Sequence, residues 1–261
     1  MYLSELQNFS STPASPLATD HAIAERIDAS RKRLIVALDV PDAASAFALA
    51  ERLEDTCQWF KVGLELFAAA GPAVIEPLLK RGYSIFLDLK FHDIPNTVAG
   101  AVRSAAGLGV QMLTVHAGGG PAMLAAARGA LEGMDSPPEL LAVTVLTSMD
   151  AAQCTAVGQD RTPASQVELL ARMAQGVGVR GFVCSPQEVA GLRSLTGPEG
   201  VLVIPGIRPA GTGIGDQKRI ATPAEALRSG ASYLVVGRPI TQAADPAAAA
   251  EAIVKEMAAA L

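Results

Sequence analysis

Eight short apolar segments, separated by stretches of helical character, constrain the fold of this chain more than any other feature of its sequence. Each is a continuous apolar run, as expected of a strand that is covered on both faces of a sheet. We predict strands at Arg33–Asp39, Trp59–Gly63, Tyr83–Lys90, Val110–His116, Leu140–Thr147, Gly181–Ser185, Val201–Pro205 and Ser232–Gly237. Helices are predicted between them, among others at Ala43–Leu53, Gly71–Lys80, Thr97–Leu108, Pro121–Leu131, Ala164–Gln175 and Thr222–Arg228.

The alternation of strand and helix predicts parallel pairing through right-handed crossovers. Eight such units in 261 residues fit an α/β fold of the (β/α)₈ TIM barrel type, and a doubly wound open sheet is the alternative. No shift in composition marks a second domain, so we predict a single barrel over residues 32–261. Residues 1–31 are predicted to be an N-terminal extension that is partly disordered, since 1–19 are rich in Ser, Thr, Pro and Ala. A short helix is predicted over Asp20–Arg31.

Composition excludes several classes of protein. A net charge of -5 and a pI near 5.3 argue against a nucleic-acid-binding protein, although a local basic pocket for an anionic small molecule stays possible. No apolar stretch approaches the about 18–20 residues of a membrane span, and no export signal is recognisable. The three cysteines show no CxxC spacing, which favours buried thiols in a reducing compartment. We therefore expect a cytoplasmic protein that does not bind a membrane.

Charged side chains lie at the end of the third predicted strand and just beyond it, in the sequence DLKFHDIPNT, residues 88–97. Because strand side chains alternate between faces, Asp88 and Lys90 point the same way from the end of the strand. Asp93 follows in the turn that leads to a helix, which Pro95 is suited to open. Charges at the end of an apolar strand are costly unless they pair with each other or take part in chemistry.

A lysine within the second predicted strand, Lys61, needs a carboxylate partner, and Asp88 on the next strand is available. One interpretation is a buried ion pair that only fixes the register of the strands. With Lys90 and Asp93 added, the charges form an alternating array, which at the mouth of a barrel is more typical of an active site. The two lysines would repel a divalent cation, so we do not expect Asp88, His92 and Asp93 to bind a metal.

Two other strand ends carry polar residues whose role the sequence leaves open. Asp39 ends the first predicted strand, where it is placed either to cap the helix that begins near Pro41 or to hold sugar hydroxyls. His116 ends the fourth predicted strand. A lone histidine is more often packed and hydrogen-bonded than catalytic, and both interpretations remain.

The last third of the chain carries features of a phosphate-binding site. A Gly-containing loop, Thr212–Lys218, follows the seventh predicted strand, and Gly237 and Arg238 follow the eighth. Barrels frequently bind phosphate between the loops after these two strands. Arg238 is suited to grip phosphate with two hydrogen bonds, Gly237 to present its backbone amide, and Gln217 to approach from the loop.

Together these segments resemble the orotidine 5′-monophosphate decarboxylase family. The matching pieces are Ala37–Asp39, Phe60–Gly63, Asp88–Thr97, His116, Val145–Ser148, Pro205–Arg208, Gly215–Gln217 and Gly237–Ile240. The similarity runs from about residue 33 to the C-terminus. The Asp88–Thr97 run is highly specific, whereas the shorter pieces are individually common in barrels. The N-terminal extension departs from the family pattern and touches no motif.

The resemblance implies decarboxylation of orotidine 5′-monophosphate to UMP in de novo pyrimidine biosynthesis, without a metal or cofactor. The catalytic residues it implies are Lys90, Asp88, Asp93 and Lys61. Lys90 would sit by C6 of the pyrimidine, stabilise the carbanion and protonate it. The implied substrate-binding residues are Asp39 and Lys61 at the ribose, Asp88 at the substrate carboxylate, Thr147 and Ser148 at the base, Pro205 at the barrel rim, and Arg208, Gln217, Gly237 and Arg238 at the phosphate. Asp93 and Thr97 would reach into the partner subunit's site, which implies an obligate homodimer.

Two competing functions are considered. Magnesium-dependent sugar-phosphate lyases of the same broader group share the Asp-x-Lys-x-x-Asp core, but they carry an acidic metal ligand in the place of Lys61. A non-catalytic phosphate-binding barrel would show a degraded charged array, whereas all the charges are present here. Lysine at position 61 argues for the metal-free reaction.

Overall fold

The computed structural model describes residues 16–261 except residue 54 and residues 210–218. Eight parallel strands form a closed barrel in chain order, and the last strand pairs with the first. The predicted (β/α)₈ barrel is confirmed, and the open-sheet alternative is wrong because the first strand has a hydrogen-bonded neighbour on each side. The strands are β1 (Leu34–Ala37), β2 (Trp59–Gly63), β3 (Ser84–Phe91), β4 (Met112–His116), β5 (Glu139–Val143), β6 (Gly181–Val183), β7 (Val201–Ile204) and β8 (Tyr233–Val236).

Helices connect the strands on the outside of the barrel. They are α1 (Pro16–Arg31), α2 (Ala43–Arg52), α3 (Leu64–Ala70), α4 (Ile75–Lys80), α5 (Pro95–Ala106), α6 (Gly120–Gly129), α7 (Ala151–Ala156), α8 (Pro163–Gly176), α9 (Val189–Thr196), α10 (Pro223–Arg228), α11 (Arg238–Thr241) and α12 (Pro246–Ala258). The helix predicted over Gly71–Lys80 is wrong in extent, since its first turn is a separate 3₁₀ segment, Gly71–Val74. Gly71 has a φ of 64° and ends α3, and Pro72 begins the next turn.

The strands carry apolar side chains on both faces, as the continuous apolar runs predict. The outward side chains pack against the helices in one large core cluster. A second cluster fills the inside of the barrel and consists of Ile35, Ala37, Phe86, Met112, Leu141, Val143, Val183, Val203 and Val235. Several of these inner side chains also form the floor of a cavity that opens towards the carboxyl ends of the strands.

Arginines close the opposite end of the barrel, where the strands begin. The Arg193 guanidinium, at the end of α9, donates to the carbonyls of Gly197 (2.7 Å), Gly200 (2.8 Å) and Gly230 (2.8 Å). Arg33, just before β1, donates to two carbonyls of the segment that leads into β8. Burial lowers the pKa of both arginines, and their hydrogen bonds tie together the loops that precede β7 and β8.

The first described helix packs against the last one. Helix α1 lies on α12, and an ion pair joins Arg31 Nη2 to Glu251 Oε2 at 3.0 Å. The helix begins at Pro16, earlier than the predicted Asp20. The disorder predicted for the start of the chain lies mostly outside the described residues, and the division at residue 31 stays a prediction. Over the described parts of the chain, no helix has the length and apolar character that a membrane span requires.

Candidate active site

A cavity of about 490 Å³ lies at the carboxyl ends of the strands, a size typical of small-molecule sites. The predicted site residues that line it are Asp39, Lys61, Asp88, Lys90, Thr147, Ser148, Pro205, Arg208, Gly237 and Arg238. Two predicted site residues, Asp93 and Thr97, do not line it. Gln217 lies outside the described residues. The cavity thus brings together residues that are spread over 200 positions of the sequence, from Asp39 to Arg238.

Four charged side chains form a continuous array along one wall of this cavity, and we call them the charged array: Asp39, Lys61, Asp88 and Lys90. Lys61 Nζ lies 2.8 Å from Asp39 Oδ1 and 3.9 Å from Asp88 Oδ2. Lys90 Nζ lies 2.7 Å from the same Asp88 oxygen. The Lys61 and Asp88 side chains are only 12% and 10% exposed, so their charges depend on one another for stabilisation.

A bulge in β3 brings Asp88 and Lys90 together. Register pairs join Leu87 to Leu113 and Phe91 to Val115, so three residues of β3 face a single residue of β4. That residue is Thr114. Within the bulge, the backbone of Lys90 has a φ of 50°. This is a left-handed conformation that residues other than glycine rarely adopt.

Thr114 is a residue that the sequence analysis missed. It is fully buried on β4, where its Oγ1 accepts a hydrogen bond from the Lys90 amide at 2.8 Å. The same hydroxyl donates to Asp88 Oδ1 at 3.1 Å. The signal that was available is a hydroxyl within an apolar strand, two residues before His116 and therefore on the same face.

The structure excludes one of the two roles left open for Asp39, that of a helix cap. The cap of helix α2 is Asp42, whose Oδ1 accepts a hydrogen bond from the Ser45 amide at 2.7 Å. The capping role considered for Asp39 is therefore wrong, because its carboxylate turns towards Lys61 and the cavity. This ion pair also explains the glycine that ends β2, since a Cβ on Gly63 would lie 2.6 Å from Lys61 Nζ.

Asp93 does not join the charged array of its own chain, so the array predicted with Asp93 as a member is wrong in that respect. Its Oδ1 accepts a hydrogen bond from the following amide, that of Ile94, at 2.6 Å. Among the described residues it makes no ion pair. The physical reason is that β3 ends at Phe91 and α5 starts at Pro95, so the segment 92–97 turns outwards between them. All of these residues are exposed, and Ile94 is 67% exposed.

His116 is packed beside the cavity and does not line it. Its ring lies 5.4 Å from the ring of His92, measured between centroids. Burial lowers the pKa of His116, the charges of His92 and Lys90 lower it further, and Asp88 opposes them. A metal site made of Asp88, His92 and Asp93 is not assembled. Over the described residues, no three potential ligands of this kind are placed to share a metal ion.

The other side of the cavity carries cationic and backbone groups. In the closed strand order, β7 and β8 lie across the barrel from β3 and β4. The buried Arg208 follows β7, and its Nη1 donates to the Ile207 carbonyl at 2.8 Å. Gly237 and Arg238 follow β8 at the start of α11. Two guanidinium groups and a backbone turn thus lie on this side of the cavity, and guanidinium groups are suited to bind an anionic group.

A buried ion pair that the sequence analysis missed supports the segment after β5. The Arg219 guanidinium pairs with Glu188, and both side chains are less than a tenth exposed. Its Nη2 also donates to the carbonyls of Val145 (3.2 Å) and Leu146 (3.0 Å). These contacts hold the backbone that carries Thr147 into the cavity wall. Since the two charges lie 31 positions apart, no local pattern signals their pairing.

Comparisons with known proteins show which family this chain resembles over most of its length. The model of the orotidine 5′-phosphate decarboxylase / HUMPS family matches residues 32–253. The orotidine 5′-phosphate decarboxylase of Moorella thermoacetica is 54% identical over 235 residues, which are 87% of this chain and 93% of that protein. The enzyme of the same description from Anaeromyxobacter sp. (strain K) is 55% identical over 223 residues, 85% of this chain and 96% of that protein. A crystal structure of orotidine 5′-phosphate decarboxylase from Lactobacillus acidophilus has a TM-score of 0.75 at 43% identity, covering 87% of this chain and 99% of that one.

Proposed function

Because the chain belongs to the orotidine 5′-phosphate decarboxylase / HUMPS family, we propose that it decarboxylates orotidine 5′-monophosphate to UMP in pyrimidine biosynthesis. It is a carboxy-lyase by its relatives, which it matches over nearly their full length. The observation that carries the proposal is the pair of Asp88 and Lys90, whose side chains meet at 2.7 Å and face the cavity.

Lys90 is the proposed catalytic residue. Breaking the bond between C6 and the carboxylate leaves its electron pair on C6, where no neighbouring carbonyl is positioned to delocalise the charge as an enolate. An ammonium held at that carbon stabilises the charge as it develops and then transfers a proton to C6. CO₂ leaves as a neutral molecule, and the lysine regains a proton from solvent. The side chain of Lys90 is 27% exposed at the cavity, which supports access for both steps.

Asp88 has two functions in this proposal. Its carboxylate holds the Lys90 ammonium in place in the empty site. With substrate bound, it lies against the substrate carboxylate, and the repulsion between the two negative charges is relieved when CO₂ departs. Lys61 pairs with Asp39 and braces Asp88, and together Lys61 and Asp39 hold the ribose hydroxyls.

The reaction is proposed to need neither a metal nor another cofactor. Electrostatics supports this, because Asp88, the buried carboxylate of the charged array, already lies between the ammonium groups of Lys61 and Lys90. A divalent cation at that carboxylate would face two positive charges within a few ångströms, where repulsion is strong at low dielectric. Lysine at position 61 also differs from the acidic ligand expected of a magnesium-dependent lyase.

The phosphate of the substrate is assigned to Arg208, Gly237, Arg238 and Gln217, and the base to Thr147 and Ser148 beside Pro205. The cavity supports this division, because its cationic groups follow β7 and β8, which lie across the barrel from β3 and β4, and β3 carries Asp88 and Lys90. A phosphate held far from the reacting bond contributes to catalysis when its binding energy is expressed in the transition state. Charge-assisted hydrogen bonds from guanidinium groups are suited to this task.

The test of the proposed function is the absorbance change when orotidine 5′-monophosphate is added to the purified chain in excess chelator. Rapid conversion to UMP is expected. An absence of conversion, together with activity on a ketose phosphate that returns with magnesium, would assign the chain to the lyase branch of the family. Absence of turnover with both substrates, but retained binding of a nucleotide, would indicate a phosphate-binding barrel without catalysis.

A homodimer with shared sites is part of the proposal, and Asp93 and Thr97 are assigned to the partner's site. This assignment is supported by their exposure and by the position of the 92–97 segment directly after the bulge that carries Lys90. Mixing two inactive variants, Lys90→Ala and Asp93→Ala, tests it. Shared sites predict recovery of activity in mixed dimers, since one site then carries both intact residues. If each site is built from one chain, mixing restores nothing.

A cytoplasmic location is proposed on the basis of the cysteines. Cys57, Cys154 and Cys184 are all free and buried, and burial raises the pKa of Cys57 to about 12. Such thiols are packing residues, as expected of a protein made in a reducing compartment.

A further inference from the structure

The bulge of β3 requires something to hold it, because it departs from both strand register and preferred backbone conformation. In a regular strand, α-carbons two residues apart are separated by about 6.6 Å and no residue is left unpaired. Here Asp88, Leu89 and Lys90 face one residue of β4, and Lys90 has a φ of 50°. Strained backbone of this kind persists only where the surroundings impose it.

The hydroxyl group of Thr114 makes the contacts that hold the strained backbone of the bulge. Thr114 Oγ1 accepts from the Lys90 amide at 2.8 Å and donates to Asp88 Oδ1 at 3.1 Å. The other oxygen of Asp88 accepts from Lys90 Nζ at 2.7 Å. The three groups therefore form a closed ring of hydrogen bonds in which the backbone and the side chain of Lys90 are both tied to Asp88.

We propose that Thr114 is a positioning residue that sets the place of the Lys90 ammonium through this ring of hydrogen bonds. The proposal rests on the proposed function, since it concerns the group assigned as proton donor. Thr114 itself does not line the cavity and is fully buried, so it acts through Lys90 and Asp88 and not on the substrate.

A hydroxyl is needed because one atom must both accept and donate. Valine has nearly the same shape as threonine but offers neither function, so it would leave the Lys90 amide and one Asp88 oxygen without this partner. The bulge would then relax towards a conformation with less strain, and the ammonium would move with it. Serine keeps both functions and loses only a methyl group.

The experiment compares steady-state decarboxylation of orotidine 5′-monophosphate by the wild type, Thr114→Val and Thr114→Ser. We expect kcat of Thr114→Val to fall between about tenfold and about a hundredfold, the loss typical of a catalytic group displaced by about 1 Å. KM should change much less, because ground-state binding is left in place. Thr114→Ser should stay close to the wild type.

Thr144→Val is the matched control. Thr144 is a buried threonine just after β5, and its hydroxyl donates to the Val183 carbonyl at 3.0 Å without touching the charged array. The Thr144→Val variant also loses a buried hydrogen bond of a threonine hydroxyl. Its loss of kcat therefore measures the general effect of replacing a buried threonine by valine. Equal kcat losses at positions 114 and 144, or equal losses in Thr114→Val and Thr114→Ser, would overturn the proposal.

A second measurement separates this proposal from the proposed function. The exchange rate of the Lys90 amide, followed by NMR on protein labelled with ¹⁵N-lysine, does not depend on turnover. Slow exchange in the wild type and Thr114→Ser with fast exchange in Thr114→Val supports the positioning role, even if orotidine 5′-monophosphate proves not to be the substrate. Equal exchange in all three overturns it. If Thr114→Val does not fold, Thr114→Ala removes the same hydroxyl with less bulk and is measured in its place.

Discussion

The two ends of the barrel are both lined with charged side chains, but they use them in different ways. At the carboxyl ends of the strands, Lys61 and Lys90 pair with carboxylates and face a cavity of about 490 Å³. At the amino ends, the Arg193 guanidinium donates to backbone carbonyls, and Arg33 does the same. The lysines of the charged array thus pair with carboxylates and face the cavity, whereas the two arginines at the amino end bind the backbone.

This difference indicates which charged side chains can bind a ligand, because it depends on the hydrogen bonds that each side chain already makes. An arginine that satisfies carbonyls of two loops fixes backbone positions and has little capacity left for a ligand. A lysine paired with one carboxylate retains donors, and its partner can be exchanged for a substrate group. Substitutions at the two ends should therefore separate cleanly into losses of turnover and losses of stability.

The largest effect is expected for Lys90→Ala. In the proposed mechanism the ammonium both stabilises the carbanion and donates the proton, so its removal should lower kcat at least about ten-thousandfold. Circular dichroism and melting temperature should stay near the wild type. Lys80→Ala is the control, since Lys80 is exposed and only pairs with Glu76 on the same helix. A Lys90→Ala variant with near-normal turnover would refute the assignment of the charged array as the catalytic end.

Arg238→Ala tests the proposed phosphate-binding side of the cavity, which also lies at the carboxyl ends of the strands. Loss of a charge-assisted contact should lower kcat/KM for orotidine 5′-monophosphate by about ten- to a hundredfold. Turnover of orotidine, which has no phosphate, should be nearly unaffected. Arg228→Ala, at an exposed position in α10, is the control. An equal loss with both substrates would place Arg238 outside the phosphate site.

Arg193→Met tests the amino end and should change stability alone. Several carbonyls lose a charged donor, which is worth about 1–3 kcal/mol in total for partly buried groups. We expect the melting temperature to fall by about 3 to 8 °C while kcat/KM is unchanged. Arg172→Met is matched to it, because Arg172 is exposed and pairs only with Glu168 four residues away. A fall in turnover of folded Arg193→Met would break the distinction between the two ends.

The smallest effect is expected at Glu139, which begins β5 at the amino end. Burial raises the pKa of its carboxyl above the ordinary value of 4.5. The protonated group therefore contributes stability in full below about pH 4.5, and this contribution is lost as the pH rises through the raised pKa. The melting temperature of Glu139→Gln should be about 1 to 3 °C above that of the wild type at pH 7. This difference in melting temperature should disappear below pH 4.5, where the wild-type carboxyl is protonated as well. Glu199→Gln, which makes the same change at an exposed position, is the control.

Much of the fold follows from patterns that are local in sequence. Apolar runs locate the strands, and β2 has the predicted bounds of Trp59–Gly63. The prediction fails at strand ends: the fifth strand was expected to reach Thr147 and ends at Val143. Apolar character continues there because the chain turns over the cavity and remains partly buried, so hydrophobicity alone does not mark the end of hydrogen bonding.

Residues of the candidate site could be predicted where a charged residue interrupts an apolar strand. They could not be predicted where they depend on contacts between residues that are distant in the sequence. Lys61 and Asp88 stand out because a buried charge demands a partner. Thr114 carries only a weak signal, a hydroxyl within an apolar strand, because a threonine is ordinary in a strand. The pair of Arg219 with Glu188 carries no local signal, because the two residues are distant in sequence. The prediction that Asp93 joins the charged array of its own chain is wrong. Its closeness in sequence to Lys90 shows neither the bulge nor the outward turn before Pro95.

The closed ring of strands has a consequence for how copies of this protein can meet. An open sheet offers unpaired amide and carbonyl groups along its outer strands, and other chains can add to them. Here β8 pairs with β1, so the eight strands of the described part of the chain leave no free edge. Association between folded copies must then use helices and loops, whose contacts depend on side-chain identity and are specific. Only a chain whose ring has opened exposes strands to non-specific aggregation, which makes the closure of the barrel a safeguard of solubility as well as the frame of the site.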